Sequence, residues 1–585
     1  MIVLGINNSH LSTAAILKNG KVVACISEER LSRVKNQSGL PVKAVREVLK
    51  IAQIKPNQID YVVFGFKDPQ INTGYSVYSS HSNSANLSIS SLIWQIKESI
   101  LAAVPVSRYL YQNLIGPYYQ LFMNRSLDLQ LSLDVQKKLG IDPDKILKCD
   151  HHTAHAYAAL YASEGYQEGK KLVFTLDAMG DGLCASVSVS ENGRLNRIAA
   201  TKAGNSLGDL YAYVTSYLGL KRGEHEFKVM GLAPYASEKH FMPLYKKLKQ
   251  LIWVNEDLTF STSVYSHVFY KKLDQIFLHQ RFDNVAGAVQ KITEDLLREW
   301  IIKAIKQTGI KDVICGGGVF MNVKANQLIL ELPQVKSLYV VPSCGDESTA
   351  FGAAYWAYQK YGDIDQFPIE SLKDLYLGSS FTDKEIQVEL RKAKYRTLKK
   401  TKYSDIEKEV ARILSKGGIV ARFKGRAEWG ARSLGNRSIL ANPSNFDVIK
   451  EINDQIKSRD FWMPFAPSIK SERLEQYVDN PKKIKVPYMI ITLNSTLKGQ
   501  KELIAAMHPY DGTLRPQEVY QDWNPDYWHL ISEFEKLTGI GGVLNTSFNL
   551  HGFPIVQTPE DALDVLLRSG LEHLALGSFL VSKTS

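Results

Sequence analysis

The sequence predicts an α/β protein made of two units. Three observations carry that prediction. A strand–turn–strand order recurs near residues 1–26 and 170–189, a helix–strand–helix succession fills residues 286–361, and helix and strand alternate again from about residue 401.

In order along the chain, Met1–Ile6 and Ser12–Leu17 are apolar runs, and Asn19-Gly20 is the turn signal before a return strand at Val22–Ile26. Val42–Ile54 has helical spacing. Residues 75–110 are rich in Ser, Asn and Tyr and only weakly periodic, so they read as an insertion or a mobile lobe, and the weakly patterned stretch 75–130 is the place to seek contacts to an acceptor substrate. Lys170–Leu176 and Leu183–Val189 read as strands around a tight acidic turn. A long amphipathic helix at Ala286–Thr308 leads into a strand at Asp312–Cys315, a glycine turn and a short helix. A strand at Ser337–Val341 and an apolar helix at Ala350–Tyr361 follow. The polar stretch with Asp363, Asp365, Pro368 and Glu370 reads as the start of a linker, which places the units at 1–365 and 401–585 with 366–400 between them. In the second unit Asp405–Leu414 reads as helix and Gly418–Phe423 as strand. Pro559–Leu567 and Leu574–Leu580 read as a closing helix–strand pair. No tandem repeat is visible.

Composition narrows the class. The 585 residues are 44% apolar and 22% charged, enough for several sizeable cores. Five cysteines exclude a disulfide-stapled secreted domain. No apolar run reaches the roughly 18 residues of a membrane span, and Glu28-Glu29 sits where a signal peptide would be cleaved, so a cytoplasmic protein without a membrane role is expected. The net charge of +11 suits an anionic substrate, and the basic clusters lack the tail or finger spacing of a nucleic-acid binder.

Candidate chemistry starts at His151-His152-Thr153-Ala154-His155. Positions i and i+4 share a helix face, so His151 and His155 can hold one metal while His152 points elsewhere; two histidines at a wet helix start are the plain alternative. Asp346, between a strand and an apolar helix, can complete that site or merely cap the helix. Two histidines and a carboxylate suit Fe(II), Mn(II) or Zn(II). Asp177, Gly180, Asp181 and Gly182 follow an apolar strand; the glycines suit a phosphate-approaching turn and the aspartates a divalent cation or a water, with an ordinary β-turn as the plain alternative. Gly317-Gly318 makes a similar turn before Asn322 and Asn326, which are placed either for nucleoside hydrogen bonds or for capping. In the second unit Arg432, Arg437, Lys457, Arg459, His508, Arg515 and Ser547 lie among glycines and aromatics, a pattern that converges on an oxyanion more readily than it makes a solvated face. Arg422 and Arg426 read as weaker members of that set, since either suits a structural ion pair. Cys344 has no neighbouring base and reads as a buried thiol.

Taken together, these strings resemble the NodU/CmcH family of O-carbamoyltransferases over nearly the whole chain. The resemblance is carried by Gly5-Ile6-Asn7 with His10, Glu28-Glu29-Arg30 with Arg33 and Lys35, and His151 with His155. It continues through Asp177 to Gly182, Lys228-Val229-Met230-Gly231 running on to Tyr235, and Gly317-Gly318 with Asn322, Asn326 and Asp346. The second unit adds Trp429 to Leu440, Pro464-Phe465-Ala466-Pro467, Asp511-Gly512-Thr513 with Arg515, and Asn545 to Asn549. The resemblance implies an N-terminal domain of the actin-like ATPase/sugar-kinase (ASKHA) fold and a C-terminal YrdC-like α/β domain. It implies that ATP, with Mg2+, and carbamoyl phosphate form a carbamoyl-adenylate in the second domain. The first would pass the carbamoyl group to a hydroxyl of a small molecule, in secondary-metabolite or antibiotic biosynthesis, and a homodimer is compatible with it. His151, His155 and Asp346 would hold iron, His10 would be the base toward the hydroxyl, and Lys228, Gly231 and Ser547 would line nucleotide or phosphate.

Three departures stand out. Leu11 replaces the family's usual aspartate after the histidine, Ala431 replaces a proline, and Trp462-Met463 replaces a phenylalanine-arginine pair. They bear on the acceptor more than on the core constellation. A tRNA threonylcarbamoyladenosine-type enzyme shares the adenylate logic, but the order of the strings matches the small-molecule enzymes. A non-catalytic ATP-binding regulator would not need the retained histidines and arginines.

Overall fold

The computed structural model describes residues 1–67 and 128–583, so most of the expected insertion at 75–130 lies outside the described residues. The N-terminal unit opens with strands β1 (Ile2–Asn7), β2 (Thr13–Lys18) and β3 (Lys21–Ser27), followed by β4 (Tyr61–Phe64) and β5 (Ile146–Lys148). Asn19 and Gly20 both take positive φ in the expected tight turn. The first three strands form an antiparallel meander, and β4 and β5 add in parallel beyond β1, giving the order β3–β2–β1–β4–β5.

A second sheet repeats this topology. Strands β6 (Lys170–Gly180), β7 (Leu183–Glu191) and β8 (Arg194–Lys202) form its meander. After a small hairpin of β9 (Ile252–Val254) and β10 (Phe260–Thr262), β11 (Asp312–Gly316) and β12 (Ser337–Val340) add in parallel. The order is β12–β11–β6–β7–β8. In sequence the duplication shows only as the recurring strand–turn–strand order, because the chain path repeats and the residues do not.

Each half closes with a helix that starts at the seam between the sheets. β5 leads into His151–Ala162, and β12 leads through a short loop into Thr349–Tyr361. These helices pack tightly because their facing surfaces are small: a Cβ on Gly352 would overlap the Ala154 carbonyl, and one on Gly5 would overlap that of Ala350. Both helix N-termini therefore end beside the tips of β1 and β6. The long helix Phe282–Thr308 covers the second sheet with Trp300 fully buried.

The segment 366–400 is not an open linker. Leu372, Leu375 and Leu377 are buried in a core that runs continuously from the N-terminal unit into the C-terminal one. Thr382 and Glu385 form a capping box for the helix Asp383–Leu390, and Lys399–Lys402 is an edge strand of the C-terminal sheet. Charged residues there suggested a linker, but their apolar neighbours pack. Leu574–Leu580 is likewise two strands, His573–Leu576 and Phe579–Ser582, turned at Gly577, not one.

The C-terminal unit is built on an eight-stranded mixed sheet. Val420–Phe423 pairs with Arg437–Ala441, which pairs with Gly542–Ser547, which in turn pairs with Ala466–Lys470. The loops leaving these strands face the N-terminal unit and carry most of the basic residues singled out above. Among the described residues no helix is long and apolar enough to cross a membrane.

Candidate active site

The first cluster assembles where the two halves meet. Asp150 caps the helix His151–Ala162 by accepting the N–H of Thr153 at 2.8 Å, which fixes the first turn and its two histidines. His151 and His155 are fully buried and bring their Nε2 atoms to 3.1 Å. Two carboxylates face them. Asp177 Oδ2 lies 3.2 Å from His155 Nε2 and 3.8 Å from His151 Nε2. Asp346 Oδ1 lies 3.8 Å from each. Asp177, expected in a phosphate turn, is thus the fourth member of the cluster, and Gly180 leaves the room that the ring of His151 occupies.

The surrounding contacts hold these donors from behind. Asp177 accepts the N–H of Ala178 at 2.7 Å and of Gly318 at 3.2 Å, the latter from a turn that depends on Gly317 at φ 95°. Ser9 donates to Asp346 Oδ2 at 2.7 Å, and Ser348 Oγ lies 3.2 Å from His155 Nδ1. Asp181 stays outside the cluster and accepts the backbone N–H of His151 at 2.7 Å. His152 turns away to Thr175, and burial with the charges of its histidine neighbours drives its pKa down to about 3. Burial alone would lower His155 as well, but Asp177 and Asp346 carry it up to about 9, and the histidines hold Asp177 well below the usual carboxylate range. Donors about 2.0–2.2 Å from a common ion sit roughly 3–3.6 Å from one another. Four donor atoms within 4.8 Å of each other fit that polyhedron in a slightly expanded form. The two nitrogens and two oxygens suit a divalent transition metal without singling out iron.

The second cluster lies in the C-terminal unit. Lys457, buried, donates to Asn549 Oδ1 at 2.8 Å and Ser547 Oγ at 3.2 Å. Arg459 donates to Thr546 Oγ1 at 2.8 Å and stacks on Phe465. Arg432 and Arg515 each bury an Nε with no partner. Among the described residues none of these four cations has a carboxylate at ion-pair distance. Burial lowers all four, and repulsion from neighbouring cations adds to it for Lys457, Arg459 and Arg515: Arg459 falls to about 10, and Lys457 and Arg515 fall well below their ordinary values. Four neighbouring cations without a counter-ion among the described residues make a candidate anion site. Arg515 also borders a cleft between the units, walled by Phe227, Met230, Pro234, Met463 and Phe465.

Two comparisons place this geometry. Residues 2–355 match a family model described as carbamoyltransferase N-terminus, and residues 411–583 match one described as carbamoyltransferase C-terminus. The chain belongs to the carbamoyltransferase family. Among relatives, nodulation protein NolNO of Sinorhizobium fredii is 28% identical, covering 98% of this chain and 79% of that one. Nodulation protein NolO of Bradyrhizobium diazoefficiens is 31% identical, covering 74% of this chain and 79% of its own length. An uncharacterised protein of Synechocystis is 29% identical, covering 98% and 95%. Solved structures of HypF from T. kodakarensis (14% identity, 63% of this chain and 49% of that one, TM-score 0.33) and of ROK hexokinase from Thermus thermophilus (11%, 62% and 99%, 0.29) are more distant. At those TM-scores neither likeness bears on fold or function.

In this carbamoyltransferase several sequence-predicted residues serve the scaffold. Arg437 is fully buried, donates to the carbonyls of Lys424, Asn436, Ser379 and Gly425, and lies 3.6 Å above the ring of Phe423. It is spent on backbone acceptors, not on an anion. Arg422 is held by Gly435, Asn436 and Glu407, and Arg426 by the carbonyls of Gly378, Leu377 and Val23. Asn322 caps its helix and bonds Gln290, and Asn326 donates to the carbonyls of Phe320 and Ile490. His508 accepts backbone N–H groups at Nδ1, which leaves Nε2–H to donate to the Gly231 carbonyl at 3.0 Å across the seam. Lys228 pairs with Asp460 at 3.0 Å, also across the seam. His10, half-buried on the β1–β2 turn, follows Ser9 in the chain and sets Nε2 3.0 Å from the Gly223 carbonyl. Gly182 turns the β6–β7 hairpin at φ 78°. Sequence reasoning offered Asp177 as an aspartate that could hold a cation or a water in its turn, but not as a partner of His151 and His155, and it missed Ser9 and Ser348 as supports of Asp346 and His155.

Proposed function

We propose that this carbamoyltransferase uses ATP and carbamoyl phosphate to carbamoylate a hydroxyl of a small molecule, a natural product or sugar, through a carbamoyl-adenylate. The doubled sheet topology supports an actin-like ATPase/sugar-kinase fold for residues 1–365, and the mixed sheet with its cationic loops supports a YrdC-like role for residues 401–585. The observation that carries the reading is the set Arg432, Lys457, Arg459 and Arg515, with Lys457 buried and the three arginines half-buried, none of them paired with a carboxylate among the described residues; a strongly anionic ligand makes that arrangement favourable.

The chemistry divides accordingly. Water cleaves carbamoyl phosphate to carbamate and phosphate; a carbamate oxygen attacks the α-phosphorus of ATP, and pyrophosphate leaves. Lys457, Arg459 and Arg515 neutralise the phosphate oxygens as these bonds change. The apolar cleft beside Arg515 receives the nucleoside and keeps water from the mixed anhydride. In the transfer step the acceptor oxygen attacks the carbamoyl carbon, its proton passes to His10, and the C–O bond to AMP breaks. His151, His155, Asp177 and Asp346 would hold a divalent ion, which when bound supplies Lewis acidity toward phosphate or carbonyl oxygen.

The test is pyrophosphate release from ATP and carbamoyl phosphate without any acceptor. It should be lost in Arg515→Ala and largely kept in His155→Ala. No carbamoyl-phosphate-dependent release from the parent protein would refute the proposal.

A further inference from the structure

One loop belongs to both half-sites. At its end Asp346 enters the His/Asp cluster. At its start Ser343 crosses the seam: its Oγ donates to Glu347 Oε1 and accepts the N–H of Ala431 at 2.9 Å. Ser343 is buried and adopts φ 52°, a left-handed conformation that a residue with a β-carbon keeps only when its surroundings hold it there. The approach is close. Gly430 sits at φ 99°, and a Cβ on it would fall 2.7 Å from that of Ser343. From the other side Arg30 Nη2 donates to the Gly430 carbonyl at 2.7 Å. The peptide that precedes Arg432 is therefore gripped twice by the N-terminal unit.

Arg432 needs such a grip. Its Nε is buried without a partner, and among the described residues no carboxylate pairs with it, so its own side-chain contacts do not fix where it points. Its backbone must do so. We propose that Ser343 is a positioning residue for the anion site: through Ala431 it sets the backbone that aims Arg432 at the phosphate of carbamoyl phosphate. This assignment rests on the function proposed above. It also explains how the unit carrying the His/Asp cluster shapes an anion site in the other unit, since a single loop of the N-terminal unit presents both Asp346 and Ser343.

The test is equilibrium binding of carbamoyl phosphate, measured by calorimetry, to the full-length parent and to Ser343→Gly. Glycine keeps the left-handed backbone without strain and deletes the CH2OH group that accepts the Ala431 N–H. Affinity should fall about 3- to 10-fold, the size of one neutral hydrogen bond, with metal content unchanged. In an Arg432→Ala background the same substitution should cost nothing further, an outcome that a general loss of packing would not produce. Ser343→Cys, with sulfur as a poor acceptor, should weaken binding in the same direction and keeps the test available should the glycine variant fold badly. Parent-like affinity in both variants, or an equal loss in the Arg432→Ala background, would overturn the assignment while leaving the proposed function intact. A parent protein that does not bind carbamoyl phosphate would overturn both.

Discussion

Asp177 and His155 approach to 3.2 Å from opposite halves of the N-terminal unit, one at the end of the strand β6 and the other on the helix that follows β5. The contact makes Asp177 the closest carboxylate to the histidine pair. Asp177→Asn keeps the side-chain volume and removes the charge, and should lower retained metal at least tenfold. Asp181→Asn, which weakens contacts to the backbone N–H groups of His151 and Lys67, should keep most of it. Elemental analysis after dialysis reads both; equal retention would leave Asp177 outside the metal site.

Metal binding should release a proton. Without an ion His155 holds its proton up to about pH 9, so below that pH an ion must displace it, and apparent affinity should rise toward tenfold per pH unit between about 6.5 and 9. The stability of the metal-free protein runs the other way. A raised folded-state pKa contributes stability that is complete below about 6.5, the unfolded value, and is lost as pH rises through 9. Metal titrations and thermal melts across that range should show opposite slopes.

The unpaired cations should make the anion site a weak point of the fold. Arg515→Met should abolish pyrophosphate release yet raise stability by about 1 kcal/mol, because a buried charge without a partner is removed. Pyrophosphate should raise the melting temperature of the parent and leave that of the variant nearly unmoved.

Arg437→Ala should behave differently, although it lies near Arg432 in the chain. Four carbonyls lose their donor, so a stability loss of about 3 kcal/mol or more is expected. Denaturant melts distinguish it from Arg515. A folded Arg437→Ala protein whose only defect is a higher KM for carbamoyl phosphate would return Arg437 to the anion site.

His10→Asn should leave pyrophosphate release nearly intact and slow carbamoyl transfer by roughly 10²–10⁴. The two steps are separable by supplying preformed carbamoyl-adenylate and following product by mass spectrometry. Equal transfer in parent and variant would remove His10 from the reaction.

The sequence made part of this site legible for identifiable reasons. The spacing of His151 and His155 survives any fold in which that segment is helical, and an acidic residue before an apolar helix, such as Asp346, has few places to face. Asp177 was harder, because an aspartate before Met-Gly-Asp-Gly is equally a turn residue until the opposite sheet is in place. Arg437 and Arg515 look alike in sequence, both basic residues in glycine-containing segments. What separates them is whether carbonyls converge on the guanidinium, and that depends on the pairing of Arg437–Ala441 with Val420–Phe423. The asparagines at 322 and 326 stayed open between two readings for the same reason: capping and nucleoside contacts draw on the same amide.

The repeated sheet gives the His/Asp cluster a mechanical meaning. Two of its donors hang from the first half-fold and two from the second, one half offering imidazoles and the other carboxylates. Neither half alone carries more than two of the four donors, so an ion there acts as a rivet through a split molecule. Cleaving the chain in the exposed turn at residues 164–169 should yield two pieces that hold together in the presence of a divalent ion and separate more readily when a chelator withdraws it.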